Sequence, residues 1–202
     1  MENKEYLYKY RSLKNFARFV DIILNNRLHG STYTQLDDAM EGRFKNPVGV
    51  DKALLDKIYS EKGKYYLCSL SKTATSSPMW ALYADEHKGC CIELEVTSKK
   101  WEKIEVKYSN QMPTALDDVK VIITTKSKEW QHQQEIRYLK KITPGSRESK
   151  KLSIKINRII FGLRVTTDEF NLYRKLINKI NPNIEVTKLK WKDSNLGFEN
   201  DD

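Results

Sequence analysis

The residue pattern predicts an α+β fold, a single domain whose mixed or mostly antiparallel sheet is flanked by helices. Three observations carry this expectation. Segments with the two-residue alternation of strands and segments with helical period follow one another without the regular alternation of a doubly wound parallel sheet. The 202 residues suit one compact core. Charged residues make up 31% of the chain and hydrophobic ones 39%, which excludes a disordered or fibrous protein. The domain is expected over residues 1–192, with 193–202 an acidic flexible tail ending in Glu199, Asp201 and Asp202.

The elements follow in order. Tyr6, Tyr8 and Tyr10 alternate with Leu7, Lys9 and Arg11, a first strand. Ser12 caps a helix with apolar positions Leu13, Phe16, Val20, Ile23, Leu24 and Leu28, closed by Gly30. Residues 31–50 read as irregular, and Asp51 caps a second helix that buries Leu54, Leu55 and Ile58 and stops at Gly63. Tyr65 to Ser71 is a strand. Ser77-Pro78 opens a helix from Met79 to His87, with Ser77 as cap and Trp80 and Tyr83 on one face, and Gly89 leads into the strand Cys90 to Val96. Lys103 to Tyr108 is a further strand, while 115–125 is ambiguous because Val121, Ile122, Ile123 and Thr124 are β-branched. Gln133 to Lys141 reads as a strand with Gln133, Glu135, Arg137 and Leu139 on one face. Ile154 to Phe161 is a strand ending at Gly162, Thr166 to Glu169 is a capping box for a helix to about Ile180, and Ile184 to Trp191 is the last strand.

The net charge is +9, and residues 98–155 hold fourteen Lys or Arg against seven acids. That segment, Lys99 to Lys155, fits a polyanion such as RNA or DNA, although each lysine alone suits a solvated loop equally well. No apolar run is long enough to cross a bilayer and no basic-then-apolar leader opens the chain, so neither membrane nor secretion is expected. Three cysteines, Cys68, Cys90 and Cys91, do not make a disulfide framework. A cytoplasmic protein with reduced thiols is expected. The chain lacks a phosphate-binding glycine loop, GxGxxG, HExxH and GxSxG. His87 with Cys90 and Cys91 is a poor metal set because adjacent strand residues point to opposite faces.

Three blocks together resemble a large bacterial family, domain-of-unknown-function family 2971: Leu7-Tyr8-Lys9-Tyr10-Arg11-Ser12; Leu67-Cys68-Ser69-Leu70-Ser71 with Met79-Trp80-Ala81-Leu82-Tyr83-Ala84-Asp85-Glu86-His87-Lys88-Gly89; and Thr125 to Trp130 with Glu135-Ile136-Arg137. They span residues 6–138 in order. Leu36 to Glu41 departs from the Asn-Asp-Pro-Phe-Glu run typical of that family.

The chain also resembles the ADP-ribosyltransferases, which carry a basic or imidazole side chain on a first strand, a Ser-x-Ser or Tyr element on a second strand before a helix, and a Glu two residues after Gln or Glu on a later strand. Arg11, Ser69-Leu70-Ser71 and Gln133-Gln134-Glu135 occupy those places in that order. The resemblance implies an ADP-ribosyltransferase-like fold and NAD as the molecule bound. Glu135 would be the catalytic carboxylate that stabilises an oxocarbenium-like centre, with Gln133 positioning the acceptor. Arg11, with Tyr10 beside it, would hold phosphates or ribose. Ser69 would hydrogen-bond the cofactor or fix Glu135, Ser71 would bind the cofactor, and Tyr83 or Trp80 would stack on nicotinamide or adenine. A helical Trp80 equally suits a core, and Glu135 with Arg137 equally suits an exposed ion pair.

The leading expectation is thus an NAD-dependent ADP-ribosyltransferase acting on a nucleic acid or other anionic acceptor, in a bacterial toxin or phage-defence setting that leaves room for a protein antitoxin. The alternatives are a nucleic-acid-binding module without catalysis and a magnesium-dependent nuclease using Asp37, Asp38, Glu41 and Glu135.

Overall fold

A computed structural model describes residues 5–33, 41–142, 150–192 and 195–198. In chain order the elements are β1 (Leu7–Arg11), α1 (Phe16–Asn25), β2 (Arg27–His29), β3 (Ser31–Thr32), α2 (Lys52–Gly63), β4 (Tyr65–Ser71), α3 (Ser77–Tyr83) and β5 (Cys90–Val96). There follow β6 (Glu102–Glu105), β7 (Lys107–Tyr108), α4 (Val119–Ile123), β8 (Thr125–Lys126), a 3-10 helix (Lys128–Gln133), β9 (Glu135–Lys141), β10 (Lys151–Phe161), α5 (Thr167–Ile180), β11 (Glu185–Lys192) and β12 (Asn195–Phe198). The architecture is α+β. The chain groups into two compact units, Met1–Leu28 with Ser71–Ser98 and Ser153–Asp202, and His29–Leu70 with Lys99–Leu152. Each unit is assembled from separated stretches, which is why no linker announces a boundary in the sequence.

The first unit holds a mixed sheet ordered β12-β11-β10-β5-β1. β10 and β11 run parallel and the other pairs antiparallel. Helices flank it on both sides. Phe161 packs against Phe170 and Tyr173 of α5, and Tyr173 against Phe19 of α1. Ile160, one residue earlier and so on the opposite face, joins Tyr10, Cys91 and Leu189 in a core closed by Trp80 of α3. Asn195 to Phe198 forms a strand paired with β11, although these residues fall within the expected tail.

Helix α1 differs from its sequence reading at both ends. Asn15, not Ser12, is the cap, its side chain accepting from the Arg18 N–H at 3.0 Å. Asn26 ends the helix in the left-handed region at φ 47°, four residues before Gly30, and Leu28 is buried in β2. The buried positions are Phe19, Ile22 and Ile23, leaving Phe16 and Leu24 exposed. The capping box at Thr166 and Glu169 is present as expected.

In the second unit β4 lies between β3 and β9, and β6 pairs antiparallel with β9. Tyr65, Leu67 and Leu139 from the sheet pack on Ile123 of α4. Ile58 of α2 packs with Ala115 and Ile122. Asp51 caps α2 through the Leu54 N–H at 2.7 Å. The expected strand over 103–108 is broken at Val106, whose N–H bonds the Glu135 carbonyl and divides β6 from β7.

Candidate functional site: a buried charge cluster

Glu135 opens β9, and its position depends on the turn before it. Ser127 caps the 3-10 helix and Gln134 closes it in the left-handed region at φ 43°. Gln133 therefore ends that helix and is not part of the strand, contrary to the sequence reading. The left-handed residue still returns its side chain to the same place: the Lys126 ammonium donates to Gln133 Oε1 at 2.8 Å and to Glu135 Oε2 at 3.0 Å. On the other side of Glu135, Arg137 donates to Oε1 from Nε at 2.9 Å and from Nη2 at 2.7 Å. Its Nη1 bonds the Ile123 carbonyl, and Nη2 also bonds Glu41 Oε1. Glu41 Oε1 lies 3.4 Å from the Lys126 ammonium. Ser69 of β4 hydrogen-bonds the Glu135 side chain, and the Glu135 N–H donates to the Tyr108 hydroxyl at 2.8 Å.

Glu41, Lys126, Gln133, Glu135 and Arg137 are all buried. Two carboxylates against two cations make the cluster neutral, which a site this dry requires. Burial pushes the Glu135 carboxyl up, but Arg137, Lys126 and the Ser69 hydroxyl outweigh it and hold its pKa at about 2. Glu135 is therefore ionised and oriented at neutral pH. The guanidinium of Arg137 is driven above its ordinary value, burial being overcome by Glu135 and Glu41. Burial, and with it the negative charge of the Glu135 carboxylate, raises the Tyr108 hydroxyl to about 12, so it stays protonated.

A cleft of about 240 Å³ adjoins the cluster, lined by Glu41, Lys126, Arg43, Trp130 and the hydroxyls of Ser109, Thr125 and Ser127, among others. Lys126 Nζ stands 5.6 Å from the Trp130 ring centre. On the far side of Glu41, the Lys62 ammonium donates to the Gly42 carbonyl at 2.8 Å inside a cage of Tyr33, Phe44 and Tyr59, 4.2 to 5.3 Å from their ring centres. Desolvation lowers the Lys62 pKa, and the three rings supply the attraction a carboxylate would otherwise provide.

Of the residues singled out in the sequence, Ser69, Gln133 and Glu135 come together here. Arg11, Tyr10, Ser71, Trp80 and Tyr83 belong to the first unit. Trp80 is 0% exposed, its indole N–H given to the Ala74 carbonyl at 2.7 Å and its rings flanked by Tyr10 and His87. It is a core residue and not a stacking platform. Tyr10 is buried likewise, with its hydroxyl on the Thr73 carbonyl. Ser71 is buried and accepts from the Thr73 N–H. Tyr83 and Arg11 are half-buried.

Arg137 corrects another reading, since its pair with Glu135 is sealed and not exposed. No motif assigns Tyr108 a role, Lys126 lies in the Thr125 to Trp130 block with no role assigned to it, and Glu41 enters the sequence reading only as a metal ligand and as the end of the departing Leu36 to Glu41 run. Asp37 and Asp38 lie outside the described residues. Cations already occupy the space around Glu41 and Glu135, and among the described residues no three His, Cys, Asp or Glu side chains are grouped to hold a metal ion. Among those residues, no helix is long and apolar enough to cross a membrane. Compared with known families, curated proteins and solved structures, the chain matches no family model, no curated protein and no structure.

Proposed function

We propose that this chain is an NAD-dependent ADP-ribosyltransferase related to domain-of-unknown-function family 2971, with Glu135 as its catalytic carboxylate and a nucleic acid or other anionic molecule as acceptor. The observation that carries the reading is the hydrogen bond from Ser69 to Glu135. It joins the strand serine and the late-strand glutamate that the transferase pattern pairs, although 66 positions separate them in sequence. Cleavage of the nicotinamide–ribose bond develops positive charge on the ribose, so a carboxylate fixed in its ionised form favours the transition state over the ground state. Ser69 and Arg137 hold that carboxylate. Gln133, two residues before it, accepts from the Lys126 ammonium that lines the adjoining cleft and would position the acceptor through it. A bacterial toxin or defence effector suits a small enzyme of this kind.

A second reading rests on one specific observation: Glu135 is only 4% exposed and is matched by two cations. In that reading the cluster is a brace, and the chain binds nucleic acid without chemistry. Labelled NAD offered with RNA, DNA and protein separates the two. The transferase reading expects incorporation by the wild type and a loss of about 10²–10³-fold in Ser69→Ala, which keeps every charge of the cluster, with a larger loss in Glu135→Gln. No NAD consumption by the wild type overturns it and leaves the brace.

A further inference from the structure

The two carboxylates of the cluster are not held alike. Glu135 sits on a central strand, its carboxylate bonded by Ser69 and its backbone N–H held by the Tyr108 hydroxyl, and it does not line the cleft. Glu41 reaches the same cations from a turn, accepts from Arg137 and approaches Lys126, and forms part of the cleft wall together with Lys126. That turn is built to present it. Lys62 ties down the Gly42 carbonyl from within its aromatic cage, and Gly42 takes φ +61° against the Tyr33 ring, which a Cβ would meet at 2.4 Å.

Without Glu41, one carboxylate would face a guanidinium and an ammonium, leaving a buried net charge of +1 open to the cleft. A charge so placed demands an anion. We propose that Lys126, in the wall of this cleft, and the Arg137 Nη2 that Glu41 now covers form a phosphate-binding site, and that the Glu41 carboxylate is its intramolecular occupant, displaced when a phosphate group enters. The Arg137 Nη2 that now serves Glu41 and the compact charge of Lys126 suit phosphate oxygens, and Ser109 and Ser127, whose hydroxyl oxygens accept from backbone N–H groups, line the same cleft. Binding is then an exchange of anions, and the apparent affinity is reduced by the fraction of molecules in which Glu41 occupies the site. The inference does not depend on NAD chemistry.

Titration calorimetry with inorganic pyrophosphate at fixed ionic strength tests it. Glu41→Gln removes the competitor and keeps the shape of the side chain, so it should bind pyrophosphate at least about tenfold more tightly than the wild type, and Glu41→Gln/Lys126→Met should lose that gain. Equal affinity in Glu41→Gln and wild type, or a gain that survives removal of Lys126, overturns the proposal. Should Glu41→Gln fail to fold, the wild type decides: saturating pyrophosphate must shift the Arg137 side-chain ¹⁵N resonances, and unshifted resonances overturn it. A parallel titration with an oligothymidylate distinguishes the source. A Lys126-dependent gain there marks a nucleic-acid phosphodiester, and a gain confined to pyrophosphate marks a free or dinucleotide phosphate.

Discussion

Arg137 is the residue on which the cluster turns, because it makes hydrogen bonds to both carboxylates and closes the Ile123 carbonyl. Arg137→Met should destabilise the chain by about 3–5 kcal/mol, the cost of leaving buried carboxylates without their partner, as read from urea unfolding. A cost under about 1 kcal/mol would mean that the pair behaves as a solvated one. Acid should act on Glu135 and on His87 of the first unit. Glu135 titrates at about 2 against an ordinary 4.5, and burial and Arg164 lower His87 from 6.5. Both bind fewer protons folded than unfolded, so their stabilisation is complete above the unfolded values and is lost as pH falls through the folded ones. Urea midpoints should decline below pH 6.5 and more steeply between 4.5 and 2; a flat profile over that range would contradict this. Glu135 and Gln133 were legible because a Gln-x-Glu motif is local. Alternation showed that Glu135 and Arg137 share a face, but it does not say whether water reaches that face, and here β9 is buried on both sides from Glu135 to Lys140. Glu41 lies 96 positions from Arg137, a separation no spacing rule covers.

At the scale of elements, the segment after Trp80 departs furthest from expectation. Helical period and Gly89 predicted a helix to His87, but α3 ends at Tyr83 and Asp85, Glu86 and His87 all take positive φ, at 50°, 53° and 68°. Each costs about 1–2 kcal/mol for a residue with a Cβ. The turn is held by the His87 N–H on the Trp80 carbonyl, the Gly89 N–H on the Ala84 carbonyl, and Lys14 on Asp85 at 2.6 Å. Glu86 is exposed and its pairing with Arg164 is loose, at 3.7 Å. Glu86→Gly should therefore match the wild type or stabilise it by up to about 1 kcal/mol, against the usual loss on introducing glycine. Gly89→Ala should destabilise, since its Cβ would stand 2.2 Å from the Arg11 carbonyl, toward the upper end of the roughly 1–3 kcal/mol that overpacking costs. Thermal unfolding of the two variants checks both signs. Asp51 and Thr166 cap as the sequence predicts, whereas Asn15 and Ser76 take the places expected of Ser12 and Ser77; Thr166→Ala should cost about 1 kcal/mol.

For the whole molecule, the charge excess read from composition is partly committed. Lys126 and Arg137 are buried in the cluster, and Lys120 and Lys141 pair with Glu102 and Glu61. Lys99, Lys100, Lys107 and Lys128 remain exposed in the second unit. Nucleic-acid affinity should fall steeply with salt if these make the phosphate contacts, and charge-removing substitutions among them should flatten that slope, as filter-binding titrations would show. Fold class was legible because periodicity is local. The division into two units was not, since neither is continuous in sequence.

That interleaving also sets an order of events on the ribosome. The stretches of the second unit, including β9 and the whole charge cluster, have all been synthesised once residue 152 is added. The part of β10 that joins β5 to β11 in the first unit, from Ser153 on, follows only afterwards with α5 and β11. At about 5–20 residues per second, the chain from 153 to 192 takes about 2–8 s to make. During that time β1 and β5 wait with an unpaired edge, the surface on which nascent chains aggregate. A chain truncated at residue 152 should accordingly keep protected amides in the second unit and lose them in β1 and β5, so the emerging protein carries its finished charge cluster while the sheet of the first unit is still open to chaperones.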